Sequence, residues 1–173
     1  MTSLADDLVT LFQRELTSLK SELDLFPDDE SVWRILPGVS NSAGNLALHL
    51  AGNVQHFVGA VLGGTGYVRS RPNEFGQRAG TREQLHVEID KAIDVVRRVL
   101  PALPVSRMDD IYPESVGGVE FQTRIWLIHL AVHAGFHLGQ VGYLRRAVLA
   151  DGRSSSPLPL APLAATPNAP HTR

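Results

Sequence analysis

Histidines 129, 133 and 137 recur at every fourth residue inside the most apolar stretch of the chain, RIWLIHLAVHAGFHLGQVGYLRR. A fourth, His49, lies in a second apolar segment, NLALHLAGNVQHF. On a helix of 3.6 residues per turn, positions i and i+4 share a face, so His133 and His137 can direct their imidazoles at one ion. Two such rings and a third from a facing helix form a three-nitrogen set that leaves a fourth coordination position open. An ion held there in an apolar shell lowers the pKa of bound water to about 7, or stabilises a coordinated thiolate. A buried metal site is therefore the leading reading of this chain.

Position on the helix selects among the histidines. His133, His137 and Gln140 fall on the face of Trp126, Leu130 and Leu144, whereas His129 is offset and one turn further from His137. His129 is read as a support behind the ligands, or as a histidine that is merely buried. In the other segment His49, Asn53 and His56 stand at i, i+4 and i+7, and the helical rise puts His56 about 10 Å beyond His49. His49 is the preferred third ligand. Asn53 and Gln140 can orient a ligand or hold a bound water, as metal-bound imidazoles require, or they are simple polar helix residues. Ala134 follows His133, so the HExxH pattern and its glutamate base are absent. GGTGYVR lacks the third glycine of a dinucleotide fingerprint, and GVSNSAG has Ser42 where the second glycine of a nucleophile elbow belongs.

The elements that must position these residues are four amphipathic helices. Leu4, Leu8, Leu11, Phe12, Leu16, Leu19 and Leu23 form the stripe of a first helix over about residues 4–26, with Asp6 and Asp7 in its first turn. A second follows the capping candidates Asn41 and Ser42 and runs to about Leu62, ending in Gly63 and Gly64. A third opens with the capping-box pattern of Thr81 and Gln84 and continues to Pro101. The fourth spans about 123–149, with Arg145 and Arg146 placed in its last turns where the helix dipole favours them. Its apolar residues surround it almost completely, which predicts burial on most faces, either at the centre of the fold or in a dimer interface. The joints 27–40 and 102–122 mix proline, glycine and acids, with Val119–Phe121 as a short extended piece. The expected fold is all-α: a four-helix bundle with long crossover connections over residues 1–150, carrying the site on facing helices. Residues 151–173 hold five of the eleven prolines in a Ser/Ala/Leu background and read as a disordered or extended tail.

Composition narrows the function. At 173 residues and 43% hydrophobic, the chain suffices for one domain with a substantial core. Sixteen basic residues are scattered among 18 acidic ones, giving a net charge of −2 and no basic stripe, so nucleic acid is not an expected partner. With no cysteine there is no disulfide, thiolate ligand or cysteine nucleophile, and any sulfur chemistry must use an external thiol. The acidic N-terminal segment lacks the features of a signal peptide, and Ile125–Leu138 is shorter than the roughly 18 residues of a membrane span. No membrane partner and a cytoplasmic location are expected.

The segment NSAGNLALHLAGNVQHFVGAVLGG, followed by RSRPNEF and HLAVHAGFHLGQVGYLRR, resembles the DinB-like superfamily of small bacterial four-helix proteins, which is unrelated to the polymerase of that name. The resemblance covers about residues 4–149 and rests on the patterns NxxxHLxGN and HxxxHxGQ. It implies a three-histidine metal site made by His49, His133 and His137. It also implies a range of activities: metal-dependent transferases that use low-molecular-weight thiols, a mycothiol-dependent isomerase and proteins assigned as metal hydrolases. The expectation is a divalent-metal protein, with zinc or nickel as the first choices, that presents an external thiol to an electrophile. The alternatives are a metal-dependent hydrolase and a non-catalytic metal-binding stress-response protein. A homodimer through the outer face of the first or last helix is expected. The joint 63–80 is expected to border the substrate entrance, with Arg71 and Glu74 as candidate substrate contacts.

Overall fold

The leucine stripe near the N-terminus winds as α1 (Leu4–Asp24), whose start is fixed by a reciprocal capping box between Ser3 and Asp6. The computed structural model of the protein describes residues 3–155 and 158–164. After α1 comes a single turn, α2 (Asp29–Val32), begun by the Asp28 carboxylate, which accepts from the Ser31 N–H at 2.8 Å. Helix α3 (Ala43–Val54) is capped by Ser42 and continues without a break as a π-helix, Gln55–Leu62. Gly64 then turns the chain away at φ 60°. A short α4 (Arg71–Gly76) with Pro72 in its first turn precedes α5 (Arg82–Val99), which carries the Thr81–Gln84 capping box. The last long helix is α6 (Thr123–Leu149).

The packed pairs of long helices are α1 with α6, α1 with α5, α3 with α5 and α3 with α6, so the four form a bundle. Contacts between Glu15 and Gly135 and between Glu22 and Arg145 show that α1 and α6 run parallel. Gln55 meets Glu88, and Gly59 lies against Val95, which makes α3 and α5 parallel to each other. Lys20 pairs with Asp90 while Arg82 reaches the Phe26 carbonyl, so α5 runs against α1. A parallel neighbour requires the chain to travel back the length of the bundle, which is what residues 63–81 do. One long crossover has this origin, whereas the joint 102–122 links the antiparallel α5 and α6 and is not a second one.

Local order exceeds the sequence reading in the joints. Both α2 and α4 lie in stretches expected to be irregular, and each is short enough that side-chain caps and Pro72 outweigh periodicity. The extended piece at Val119–Phe121 contributes Val119 to an isolated bridge with Val116, and Gln122 just beyond it bridges Ile111. No strand forms among the described residues.

Helix α6 departs from the expectation of burial on most faces. Trp126, Leu127, Leu130, Ala134, Leu138 and Val141 enter the core, while Ile125, Val132, Phe136 and Tyr143 are 52–74% exposed. Its apolar surplus therefore forms an outer stripe on the single chain. No helix is long and apolar enough to cross a membrane.

Arg145, expected to serve the helix dipole, is instead fully buried, and its Nε donates to Glu22 Oε2 at 2.7 Å. It also donates to the Arg153 carbonyl, and the Ser155 hydroxyl donates to the other Glu22 oxygen. The first residues beyond α6 are thereby tied to α1, and Ala161–Leu163 forms a 3-10 turn that also contacts α1. The expected disorder of the remaining tail, and His171 with it, falls outside the described residues.

Removing one member of a buried ion pair leaves the other charge without compensation. Arg145→Met is expected to lower unfolding stability by about 3–5 kcal/mol, and adding Glu22→Leu should recover most of that loss. Urea denaturation of the three proteins checks this; equal stability of Arg145→Met and the parent would contradict it.

Candidate metal centre

The antiparallel crossing of α3 and α6 brings three imidazoles to one place. His49 Nε2 lies 3.4 Å from His133 Nε2, which lies 3.0 Å from His137 Nε2. The rings meet edge to face at 77–89°, and the three ligand atoms fall within 4.8 Å of one another. This is the only group of its kind among the described residues.

Each part of the segment around His49 helps hold that ring. Asn45, one turn earlier, donates from Nδ2 to the Glu74 and Gln77 carbonyls at 2.9 Å each, fixing α4 against α3. Glu74 is thus presented to His49, whose Nδ1 lies 3.0 Å from Glu74 Oε2. Gly52 makes room for it, because a Cβ there would collide with the Glu74 carboxylate. Arg69 closes the cluster, donating from Nε and Nη2 to the two Glu74 oxygens at 2.7 and 2.8 Å. Its Nη2 is also 3.1 Å from His49 Nδ1. Since the guanidinium is already bidentate to the carboxylate, the consistent assignment is an Nδ1–H on His49 donating to Glu74.

His137 is held in the same sense, with Nδ1 2.6 Å from Gln140 Oε1. With Nδ1 as the donor on both rings, the Nε2 lone pairs of His49 and His137 face His133 Nε2. His133 Nδ1 is buried and has no hydrogen-bond partner among the described residues. Lone pairs aimed at one point repel unless a cation or a proton lies between them, so these residues fit a divalent ion. Burial, then His137, His49, His129 and Arg69, push the His133 pKa down to about 3. His137 is also lowered, by burial first. Burial would raise the Glu74 carboxyl, but hydrogen bonds from His49 and Arg69 outweigh it and hold the group below its ordinary range. The site therefore disfavours protonation of His133 and His137 and keeps its supporting carboxylate charged, the states that ligation needs.

Other candidates lie around this cluster. His129 is exposed and stacks on Trp126, with ring centroids 5.0 Å apart, while its ring is 6.1 Å from that of His133. Asn53 is buried one turn beyond His49, with no hydrogen bond to the three histidines. Gln140 touches His137 directly. His56 pairs with the Glu114 carboxylate at 3.1 Å, away from the triad. Arg71 and Glu74 are parted: the Arg71 guanidinium sits over Phe75, 5.2 Å from its centroid, while Glu74 is enclosed behind His49. Arg69, rather than the Arg71 chosen from the sequence, is the arginine that turns inward against Glu74 and His49. Phe75 covers His49 at 4.8 Å between ring centroids.

Four long helices enclosing a three-imidazole cluster define an all-α bundle with a candidate metal centre. The chain belongs to the DinB superfamily, whose sequence profile matches residues 11–141 and takes in His49, His133 and His137. No curated protein and no solved structure matches it.

Two outcomes follow from the electrostatics. In the metal-free protein His133 titrates near 3 rather than at its ordinary 6.5. The unfolded chain therefore binds a proton that the folded chain refuses between those values, and stability falls as pH falls through that window. Glu74, also lowered, acts in the same direction further down. The Tm of metal-free protein should drop on acidification below about pH 6.5, with a shallower slope in His133→Leu. A flat profile would contradict the burial of neutral His133. Glu74→Gln should weaken metal affinity by about 10–100-fold in chelator competition, because the His49 Nδ1–H loses its charged acceptor; unchanged affinity would remove Glu74 from this role.

Proposed function

We propose that this protein is a metal-dependent transferase that joins an external low-molecular-weight thiol to an electrophile. His49, His133 and His137 would hold the divalent ion, with zinc or nickel the first choices. The observation that carries the reading is the charge of the donor set. Three neutral imidazoles leave the ion's charge uncancelled, which favours an anionic fourth ligand. Held by His49, His133 and His137, a divalent ion would supply Lewis acidity that lowers the pKa of a thiol.

The chain's own residues prepare that position. Glu74, clamped by Arg69, fixes the tautomer and direction of His49, and Gln140 does the same for His137. Phe75 over His49 and Phe136 beside His137 cover ring faces with apolar surface. With no cysteine in the chain, the thiol has to come from outside. In the transfer, a carbon–sulfur bond forms as the electrophile's bond to its leaving group breaks, or as its double bond takes up sulfur and a proton. In the first case the thiol's proton ends in solvent.

Protein purified without a histidine tag, assayed for metal and screened with thiols against activated electrophiles, tests this reading. Turnover should require both metal and thiol. The His49, His133 and His137 Ala variants should each lose metal and activity together, while His129→Ala keeps most of its metal. Metal-dependent turnover without thiol would replace the proposal with a hydrolase. A full metal site that turns over no electrophile would replace it with a non-catalytic metal-binding protein.

A further inference from the structure

The two helices that carry the ligands also build a cavity immediately beside them. Leu46 lies three residues before His49 on α3, and Gln140 lies three residues after His137 on the antiparallel α6. Both line a cavity of about 520 Å³, within the roughly 300–1,000 Å³ of small-molecule sites. Three residues of helix rise about 4.5 Å, so the cavity begins one turn from His49 on α3 and one turn from His137 on α6. Along α6 the register is continuous: His133, His137, Gln140, Leu144 and Ala147 follow i, i+4, i+7, i+11 and i+14, one face of the helix. Leu36 and Val39, from the connection between α2 and α3, form the opposite wall.

The lining has a definite chemistry. Leu36, Val39, Leu46, Leu144 and Ala147 are apolar, and among the described residues no Asp, Glu, Lys, Arg or His lines the cavity. Arg69, the cation nearest the triad, is held by Glu74 and is not among the lining residues. Polar groups come from Ser40, Asn41, Gln140 and the Tyr143 hydroxyl. The Gln140 Oε1 already accepts from His137 Nδ1, so the group of this side chain not engaged with that ring is its amide N–H pair. Tyr143, 74% exposed, Gln140 and Val39 place the opening at the protein surface.

We propose that this cavity binds a neutral, mainly apolar small molecule bearing a carbonyl-type acceptor, seated one helical turn from the metal ligands. Resting on the transferase reading above, it assigns the cavity to the electrophilic substrate and makes that substrate uncharged on the side that enters. An anion seated against the apolar walls would be desolvated with no lining cation to meet it, because the nearest guanidinium at the opening, Arg146, rests on the Tyr143 ring 4.6 Å from its centroid.

The neutral fluorescent ketone prodan is the probe, titrated into metal-loaded protein. Saturable binding is expected, and both Ala147→Trp, which fills the cavity from an exposed position, and Val39→Lys, which places a charge on its wall, should weaken it at least about tenfold. Metal content should stay at the parent level in both, and circular dichroism identifies any variant that fails to fold. No saturable binding by the parent, or parent-like affinity in either folded variant, overturns the assignment. Tighter binding of the anionic dye anilinonaphthalene sulfonate than of prodan overturns its neutral character. Prodan affinity that weakens as protein concentration rises, with dimers seen by light scattering, gives the cavity to a second copy of the chain and also overturns it. Probe binding that responds to both variants, without turnover of any thiol and electrophile, would leave the cavity standing and remove the transferase reading alone.

Discussion

Three imidazole nitrogens pressed into one small space between α3 and α6 form a constraint that much of this structure serves. Their lone pairs repel, and protonation of His133 and His137 is opposed by burial and by the neighbouring imidazoles. Left alone, such a cluster would rotate its rings apart. It is held by hydrogen bonds on the far side of two rings, from His49 Nδ1 to Glu74 and from His137 Nδ1 to Gln140. Those bonds depend in turn on Asn45, Gly52 and Arg69, which place the carboxylate. The parallel return of residues 63–81 is what delivers α4 to that spot.

Much of this was legible in the sequence for a simple reason: helices repeat. The i, i+4 spacing of His133 and His137, the caps at Ser42 and Thr81 and the glycine pair after Leu62 are local signals, and the long helices follow them closely. Orientation within irregular chain is not local. On its motif Arg71 is the choice among the loop arginines, whereas the docking of α4 on Asn45 turns Arg69 inward and leaves Arg71 over Phe75. Arg145 shows the same gap from the other side. A basic residue in a last turn reads as a dipole partner, whereas the facing glutamate 123 positions earlier is invisible to any window along the chain.

The two ends of α6 do different work. Its middle turns carry ligands, while its last turns carry the buried Arg145 that joins α1 and residues beyond the helix into one network. Because Glu22 is satisfied from two elements, the seam between α1 and α6 is fixed below the metal centre. Movement of α6 along α1 would have to break a charge pair that water cannot reach.

The π-helix from Gln55 to Leu62 has a consequence for how this chain can change over generations. Hydrogen bonds from i to i+5 wind an extra residue into each turn, which is the mark a single-residue insertion leaves in an α-helix. The segment begins six residues after His49, so such an insertion would be absorbed downstream of the ligand and leave Asn45, His49 and Gly52 in their frame. What it rotates is the end of the helix, where His56 faces Glu114 and the Phe57 carbonyl accepts from Tyr112 at 2.6 Å. The molecule thus separates a frame-sensitive half, which keeps the imidazole in place, from a half whose length can vary and remodel the surroundings of the site.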